Sequence, residues 1–298
     1  MNCEKFSFTS SDGLDIACYR WTHSGPAAGI VQIAHGMGDH ALRYDYTAAF
    51  LSAAGFEVYA NDHRGHGRTA RSPQSFGDFG PGGWDALVAD VVTLTRIARS
   101  SQPGLPVILV GHSMGSFAVQ QYLLDHSQLV AGAVLAGSAA LDKLKIDPSK
   151  AADLTAFNRE FEPARTPYDW LSRDPAAVDA YVADPLCGFA LKPQALKSFA
   201  DAASRLADPI EIARIRLNLP IYILAGDRDP INHHLEWLKP LAQRYRAAGL
   251  RDMIEKYYPG GRHEMLNEIN RDEVLQDLLS WTKRSCFVRK QMSTLREG

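Results

Sequence analysis

The chain has 298 residues, of which 46% are hydrophobic and 22% charged, values typical of a globular protein with a full core. The formal net charge is −2, and lysine and arginine never form a long run. This composition excludes the basic surface that attracts nucleic acids or strongly anionic membranes. We therefore expect one large α/β domain or two small ones, with no nucleic-acid partner.

The four cysteines, Cys3, Cys18, Cys187 and Cys286, are widely and irregularly spaced and form no CxxC pair. This pattern predicts free thiols in a reducing compartment rather than a disulfide framework or a zinc site. The N-terminus has no basic segment followed by an apolar one, and no apolar run approaches the ~20 residues that span a bilayer. We therefore expect a cytoplasmic protein.

Strand and helix signals alternate through the first half of the chain. In chain order we predict strands at Lys5–Thr9, Leu14–Trp21 and Gly29–His35, a helix at Leu42–Ala54 that stops at Gly55, a strand at Phe56–Ala60, a helix from Trp84 to Ala98, a strand at Pro106–Val110, a helix at Ser116–Asp125 and a strand at Ala131–Ala136. This alternation favours a parallel sheet with helices on both faces.

The alternation stops at Ser138 and resumes only after Asn218. A single crossover needs far fewer residues, so we predict that 138–218 is a helical insertion forming a cap or lid. The two flanking parts, 1–137 and 219–298, then make up the core. The second part is predicted to hold strands at Leu219–Ala225 and Asp252–Tyr258, a helix near His233–Ala247 and a final helix from Arg271 to Lys283.

The motif Gly111-His112-Ser113-Met114-Gly115 carries the main chemical signal. A G-x-S-x-G pentapeptide places serine on a strained strand-to-helix turn, where a side chain at either glycine would collide with neighbouring backbone. The context fits, because a predicted strand precedes the motif and a predicted helix follows it. We therefore predict that Ser113 is a nucleophile.

A serine hydroxyl needs a base to take its proton, and in this arrangement the acid and the histidine follow the serine in the chain. The strand Leu219–Ala225 is followed by Asp227 and Asp229, and the strand Asp252–Tyr258 by a glycine-rich loop with His263. The ends of parallel strands are where open α/β sheets build their sites. His263 is thus the predicted base, and strand placement alone leaves both aspartates open as its partner.

The negative oxygen of an acyl-transfer intermediate needs two backbone N–H donors. Met114 directly follows the nucleophile and is the first predicted donor. The second should come from the glycine-rich loop after the strand Gly29–His35, where Met37 is the candidate.

Three motifs together resemble the monoacylglycerol lipase and lysophospholipase branch of the α/β-hydrolases. They are HGMGDH at 35–40 followed by Arg43 and Tyr44, DHRGHG at 62–67, and GHSMG at 111–115. The similarity covers about residues 25–137 and 219–282. Within the insertion, the segments 166–170 (TPYDW) and 184–189 (DPLCGF) depart from the mammalian enzymes and are similar to bacterial proteins labelled lysophospholipases.

This resemblance implies a mostly parallel eight-stranded sheet flanked by helices, with a helical cap after strand 6. It implies a triad of Ser113, Asp229 and His263, with Met37 and Met114 as the oxyanion donors. Asp229 is preferred to Asp227 because the family's acid lies three residues after the glycine that ends its strand. Pro230 also biases Asp229 towards an extended conformation.

Two histidine pairs suggest a metal site as an alternative. His63 and His66 form an H-x-x-H pair in a glycine-rich loop, with no carboxylate or third ligand at helical spacing, and His233 and His234 are adjacent. We expect structural roles for them, and no metal or cofactor. Seven aromatic residues of the insertion could line an acyl tunnel, but we expect most of them only to form the insertion's own small core and a few near the mouth to contact substrate. They are Phe157, Phe161, Tyr168, Trp170, Tyr181, Phe189 and Phe199.

The sequence thus predicts a carboxylic ester hydrolase that acts through an acyl-enzyme. The resemblance suggests monoacylglycerols or lysophospholipids as substrates, with a transient contact of the cap with a membrane surface. One alternative is a broad carboxylesterase for small or aryl esters, and another is a non-catalytic binding protein on the same scaffold. Dehalogenases and epoxide hydrolases are disfavoured because they use an aspartate where this chain has Ser113.

Overall fold

The architecture was analysed in a computed structural model that describes residues 2–149 and 153–297. Its strands are β1 (Asn2–Thr9), β2 (Asp15–Thr22), β3 (Gly29–Ala34), β4 (Phe56–Asn61), β5 (Val107–His112), β6 (Gly132–Ala136), β7 (Ile221–Gly226) and β8 (Met253–Tyr258). They form one eight-stranded sheet in the order β1-β2-β4-β3-β5-β6-β7-β8. The first two strands are antiparallel to their neighbours, and β3 to β8 are all parallel. The mostly parallel sheet is therefore as predicted.

The helices are α1 (Asp45–Ala53), α2 (Gly83–Ser101), α3 (Met114–His126), α4 (Pro175–Ala183), α5 (Pro193–Ala207), α6 (Pro209–Ile212), α7 (Lys239–Ala247) and α8 (Arg271–Glu297). Alternate residues of each central strand face opposite sides of the sheet. In β5, for example, Val107 and Leu109 pack with α2 and α3, whereas Ile108 and Val110 pack with α1 and α8. Two hydrophobic layers thus enclose the sheet and hold the ends of β3, β5, β6 and β7 at one edge.

The segment 138–218 holds α4, α5, α6 and several short 3₁₀ helices, and its described residues form no strand. Part of it joins the main core, because Leu196 and Phe199 of α5 pack with residues of α2 and α3. A second part, with Trp170, Leu171 and Tyr181, forms a small cluster together with Ile231 from outside the segment. The predicted division into a 1–137 plus 219–298 core and a 138–218 cap stays a prediction.

Two predicted helix boundaries were wrong. The helix expected near His233 begins only at Lys239, because His233, His234 and Leu235 have positive φ angles of 51°, 53° and 72°, which a right-handed helix cannot contain. The last helix continues beyond Lys283 to Glu297. All four cysteines are free thiols. Among the described residues, no helix combines the length and apolarity needed to cross a bilayer.

Three buried histidines, in the loops that follow β3 and β4, lie together. The ring centroids of His35 and His63 are 4.2 Å apart, and those of His35 and His66 are 5.3 Å apart. Burial lowers the pKa of His66 to about 4. Burial, together with the neighbouring imidazoles, also lowers the pKa of His35 and of His63 well below the ordinary value. The folded protein therefore holds all three rings in the neutral form near pH 7.

We expect the free energy of unfolding to decrease as the pH falls from about 6.5 to about 4, because unfolded histidines bind protons that the buried rings exclude. Each such ring contributes about 1.4 kcal/mol per pH unit within this window. Urea unfolding at several pH values measures how steeply the free energy of unfolding depends on pH. His66→Gln removes one of the rings, so it should reduce this slope by about 1.4 kcal/mol per pH unit.

The matched control is His233→Asn, which changes a half-exposed side chain at a left-handed position that Asn accepts. Its slope should equal that of the unmodified chain. An unchanged slope in His66→Gln would contradict the buried-histidine explanation.

Candidate active site

Ser113 occupies the sharp turn between β5 and α3. Its φ of 52° and ψ of −122° are strained for a residue with a side chain. The turn is tightly held, because Ser113 N–H donates to the Ala136 carbonyl at 2.9 Å and Ser116 N–H donates to the Ser113 carbonyl at 2.8 Å. The strand-to-helix context predicted for the GHSMG motif is therefore present.

The glycines of the motif are required by close backbone contacts. A Cβ on Gly115 would lie 2.2 Å from the carbonyl oxygen of Ala34, at the end of β3. A Cβ on Gly111 would lie 2.5 Å from the carbonyl oxygen of Gly115. The motif's backbone thus packs directly on β3, which brings Ser113 close to the loop that follows that strand.

The loop after β3 lies against the predicted nucleophile. A Cβ on Gly36 would be 3.2 Å from the Cβ of Ser113. The next residue, Met37, lines the same cavity as Ser113 and Met114. Met114 is the first residue of α3, where helical N–H groups have no partner within the helix. Both predicted oxyanion donors therefore lie beside Ser113.

The structure brings His263 and Asp229 together from the loops after β8 and β7. His263 Nδ1 lies 2.9 and 3.0 Å from the two carboxylate oxygens of Asp229. The carboxylate also accepts from Ile231 N–H at 2.9 Å and from the Asn232 amide at 3.1 Å. Both side chains are almost completely buried. Asp229 is thus held in one orientation against the imidazole.

Asp227 has a different partner. Its carboxylate accepts a hydrogen bond from Gly260 N–H at 2.7 Å and so joins the loop after β7 to the loop after β8. These loops are close, since a Cβ on Gly226 would lie 2.0 Å from the Gly261 carbonyl oxygen. The two aspartates that strand placement could not separate therefore occupy distinct positions.

A buried ionic network next to His263 was not predicted from the sequence. The Arg43 guanidinium binds both carboxylate oxygens of Glu264, at 2.7 and 2.8 Å, and lies 3.3 Å from Asp39. Burial alone would raise the pKa of Glu264, but the adjacent Arg43 guanidinium holds that pKa below its ordinary value. Glu264 lies next to His263 in the loop after β8, and Asp39 lies two residues after Met37 in the loop after β3. Arg43 therefore restrains both loops.

The network continues to His112, the residue before the predicted nucleophile. Burial lowers the pKa of His112 to about 4, so its ring is neutral near pH 7. The Tyr44 hydroxyl lies 2.9 Å from His112 Nδ1 and donates to Asp39 at 3.0 Å, and His112 Nε2 lies 3.3 Å from the His263 carbonyl oxygen. The sequence contained Arg43, Tyr44 and Asp39 in one motif, but their partners lie too far along the chain to be read from spacing.

One cavity of about 290 Å³ is lined by four of the five predicted site residues, all except Asp229. Its walls include Met37, Ser113, Met114 and His263, and also Asp39 and Glu264 of the ionic network. Much of the remaining wall is apolar and comes from the segment 138–218, namely Leu144, Ile146, Leu154, Phe157, Trp170, Leu171, Tyr181, Leu196 and Phe199. Four of the seven aromatics expected mainly to pack within the insertion therefore also line the cavity.

The two histidine pairs that were considered as metal ligands do not line this cavity. His66 Nδ1 donates to the Arg64 carbonyl at 2.8 Å, and His233 contacts Glu236 on the surface. Within residues 2–149 and 153–297, the cluster of three donors close enough to hold a metal is His40, Asp184 and Cys187, none of which was predicted as a metal ligand from the sequence.

Residues 25–270 match the model of a protein family described as serine aminopeptidase, S33. A monoacylglycerol lipase of Mycolicibacterium smegmatis is 32% identical over 278 residues, which cover 92% of this chain and 95% of that protein. A monoglyceride lipase of Mus musculus is 28% identical, over 91% of this chain and 88% of that protein.

Among solved structures, a thermostable carboxyl esterase from Bacillus coagulans superimposes with a TM-score of 0.85 and 29% identity, covering 96% of this chain and 99% of that chain. A monoacylglycerol lipase from Paleococcus ferrophilus gives a TM-score of 0.68 with 25% identity, covering 90% of this chain and 99% of that one. These matches confirm the α/β-hydrolase fold and the predicted resemblance.

Proposed function

The chain belongs to the serine aminopeptidase S33 family, and we propose that it hydrolyses carboxylic esters of single-chain lipids, with monoacylglycerols or lysophospholipids as substrates. The family description refers to a peptidase, whereas the relatives from M. smegmatis and mouse are lipases of monoacylglycerols. Their similarity over nearly the whole chain supports an ester substrate.

The observation that carries the proposal is the buried Asp229–His263 pair, whose histidine lines the same cavity as Ser113. In this mechanism Ser113 Oγ attacks the ester carbonyl while His263 takes its proton. The tetrahedral intermediate collapses, and His263 returns a proton to the departing alcohol. Water then attacks the acyl-serine with His263 again as base, which releases the fatty acid and regenerates Ser113.

The other residues of the site assist these steps but form no covalent bond with the substrate. Asp229 accepts from His263 Nδ1–H, which leaves the other ring nitrogen free to act as base and stabilises the imidazolium. The backbone N–H groups of Met37 and Met114 are proposed to bind the oxyanion. Each such donor typically contributes ~10²–10³ in rate.

The apolar wall supplied by the segment 138–218 supports a fatty acyl chain as the group bound there. We propose that this segment is the cap over the site. Three of its apolar residues are exposed, Val182 (49%), Ile210 (76%) and Leu217 (59%), and we propose that such residues allow transient contact with a lipid surface.

The likeness to the B. coagulans carboxyl esterase supports a second candidate, a broad carboxylesterase for small or aryl esters. Both candidates share the same chemistry and differ in the acyl chains that the cavity favours. Rates for esters of increasing chain length distinguish them, because a lipid-selective cavity gains from each buried methylene, by about 0.8 kcal/mol.

We expect Asp229→Asn to reduce kcat by about 10⁴, because an amide favours the wrong tautomer of His263. Asp227→Asn retains an oxygen that can accept from Gly260 N–H, so kcat should stay within about tenfold of the unmodified enzyme, or about 1.4 kcal/mol. Steady-state hydrolysis of a p-nitrophenyl ester measures both values.

The two variants control for each other, since each replaces one carboxylate of the same loop with an amide. Near-ultraviolet circular dichroism should show native packing in both. If Asp227→Asn were the inactive variant and Asp229→Asn the active one, the assignment of the triad acid would be wrong.

We expect opposite changes at the apolar wall to shift acyl preference in opposite directions. Phe157→Ala enlarges the cavity and should favour longer chains, whereas Leu144→Phe fills it and should favour shorter ones. Because hydrophobic pockets discriminate weakly per methylene, we expect shifts of about tenfold in the ratio of kcat/KM values. A series of monoacylglycerols and p-nitrophenyl esters measures the profile.

Val182→Ala is the matched control, because Val182 lies in the same segment but is half exposed and does not line the cavity. Its profile should equal that of the unmodified enzyme. Unchanged profiles in both wall variants would argue against an acyl site formed by the segment 138–218.

A further inference from the structure

A second group of chemically reactive side chains lies where the loop after β3 meets the turn after α4. His40 belongs to the loop, and Asp184 and Cys187 belong to the turn. His40 Nε2 lies 2.9 Å from Asp184 Oδ2. One ligand atom from each of the three residues lies within 4.8 Å of the other two.

The backbone holds the two turn residues in a fixed relation to each other and to the loop. Cys187 N–H donates to the Asp184 carbonyl at 3.1 Å, and Leu186 N–H donates to the Asp184 carboxylate at 2.8 Å. Gly188 N–H donates to the Gly38 carbonyl at 3.0 Å. The turn is therefore attached to the loop that carries His40 by a hydrogen bond separate from the side chains of the cluster.

The surrounding charges are compatible with a cation. The positive charge of Arg43 acts on both Asp184 and Cys187, but its guanidinium is bound by the carboxylates of Glu264 and Asp39. Together with Asp184, these carboxylates outnumber the arginine by three to one. His40 is buried, whereas Asp184 and Cys187 are partly exposed, so an ion can reach the cluster from solvent.

We propose that His40, Asp184 and Cys187 form a binding site for Zn²⁺ or another thiophilic divalent cation. Imidazole nitrogen, carboxylate oxygen and thiolate sulfur are the ligand types that zinc takes, and three protein ligands with one water complete a tetrahedral site. Ligand atoms in such a site lie about 3.3–3.8 Å apart, so His40 Nε2 and Asp184 Oδ2 need to separate slightly from 2.9 Å, and the Cys187 sulfur, now within 4.8 Å of both, needs to lie in that range.

Binding exchanges one set of bonds for another. The metal replaces the hydrogen bond between His40 and Asp184, the imidazole binds as the neutral ring, and the Cys187 thiol releases its proton to solvent as the metal–sulfur bond forms. The softness of sulfur favours zinc, cadmium or cobalt over magnesium and calcium. The bound ion would join the turn after α4 to the loop that contains Met37 and Asp39.

The test uses the full chain after treatment with EDTA and dialysis. Titration with Co²⁺ should produce a thiolate-to-cobalt charge-transfer band that saturates at one equivalent and disappears on addition of Zn²⁺. Calorimetry with Zn²⁺ should show one site whose affinity falls at least tenfold in Cys187→Ser and in Asp184→Asn. Cys3→Ser, which removes another partly exposed thiol, is the matched control and should bind as the unmodified chain does.

The cobalt band in the unmodified chain tests the proposal even if a variant does not fold. Absence of that band would overturn the proposal. Zinc binding that persists unchanged in Cys187→Ser would also overturn it, because the ion would then bind elsewhere, for example at His263 and Asp229. Neither readout depends on the ester hydrolysis proposed above.

Discussion

The site depends on the close contact between the turn after β5 and the end of β3. Gly115 lies so near Ala34 that no Cβ fits between them, and this contact holds Ser113 at a φ of 52°. Such a conformation costs about 1–3 kcal/mol and persists only where the surroundings impose it. Here the parallel pairing of β3 with β5 imposes it, so the central sheet itself fixes the position of the serine.

The same sheet edge collects the remaining groups from loops distant in the chain. The loops after β7 and β8 bring Asp229 to His263, and Arg43 links Glu264 of the latter loop to Asp39 near Met37. A buried arginine with two carboxylates is costly to leave unpaired, so the network favours one arrangement of these loops. The rigid polar side of the cavity is thus separate from the apolar side, which the segment 138–218 supplies.

Local signals predicted much of this arrangement. The turn at Ser113 was predictable because its whole motif consists of five consecutive residues between a strand and a helix. The partner of His263 was harder, since Asp227 and Asp229 follow the same strand and differ only in which loop contact each makes. The pairing of Arg43 with Glu264 and the His40 cluster were not predictable, because each joins residues far apart in the chain. The helix expected at His233 failed because three successive residues adopt positive φ, which their side chains do not reveal.

The central claim is that Ser113 forms a covalent acyl intermediate, and active-site labelling tests it most directly. A fluorophosphonate probe should modify the full chain once, and peptide mass spectrometry should locate the modification on Ser113. Ser113→Ala should abolish both labelling and ester hydrolysis, whereas Ser116→Ala, which changes the next serine along the chain, should still be labelled at Ser113. Label on another residue, or full hydrolytic activity in Ser113→Ala, would contradict the account.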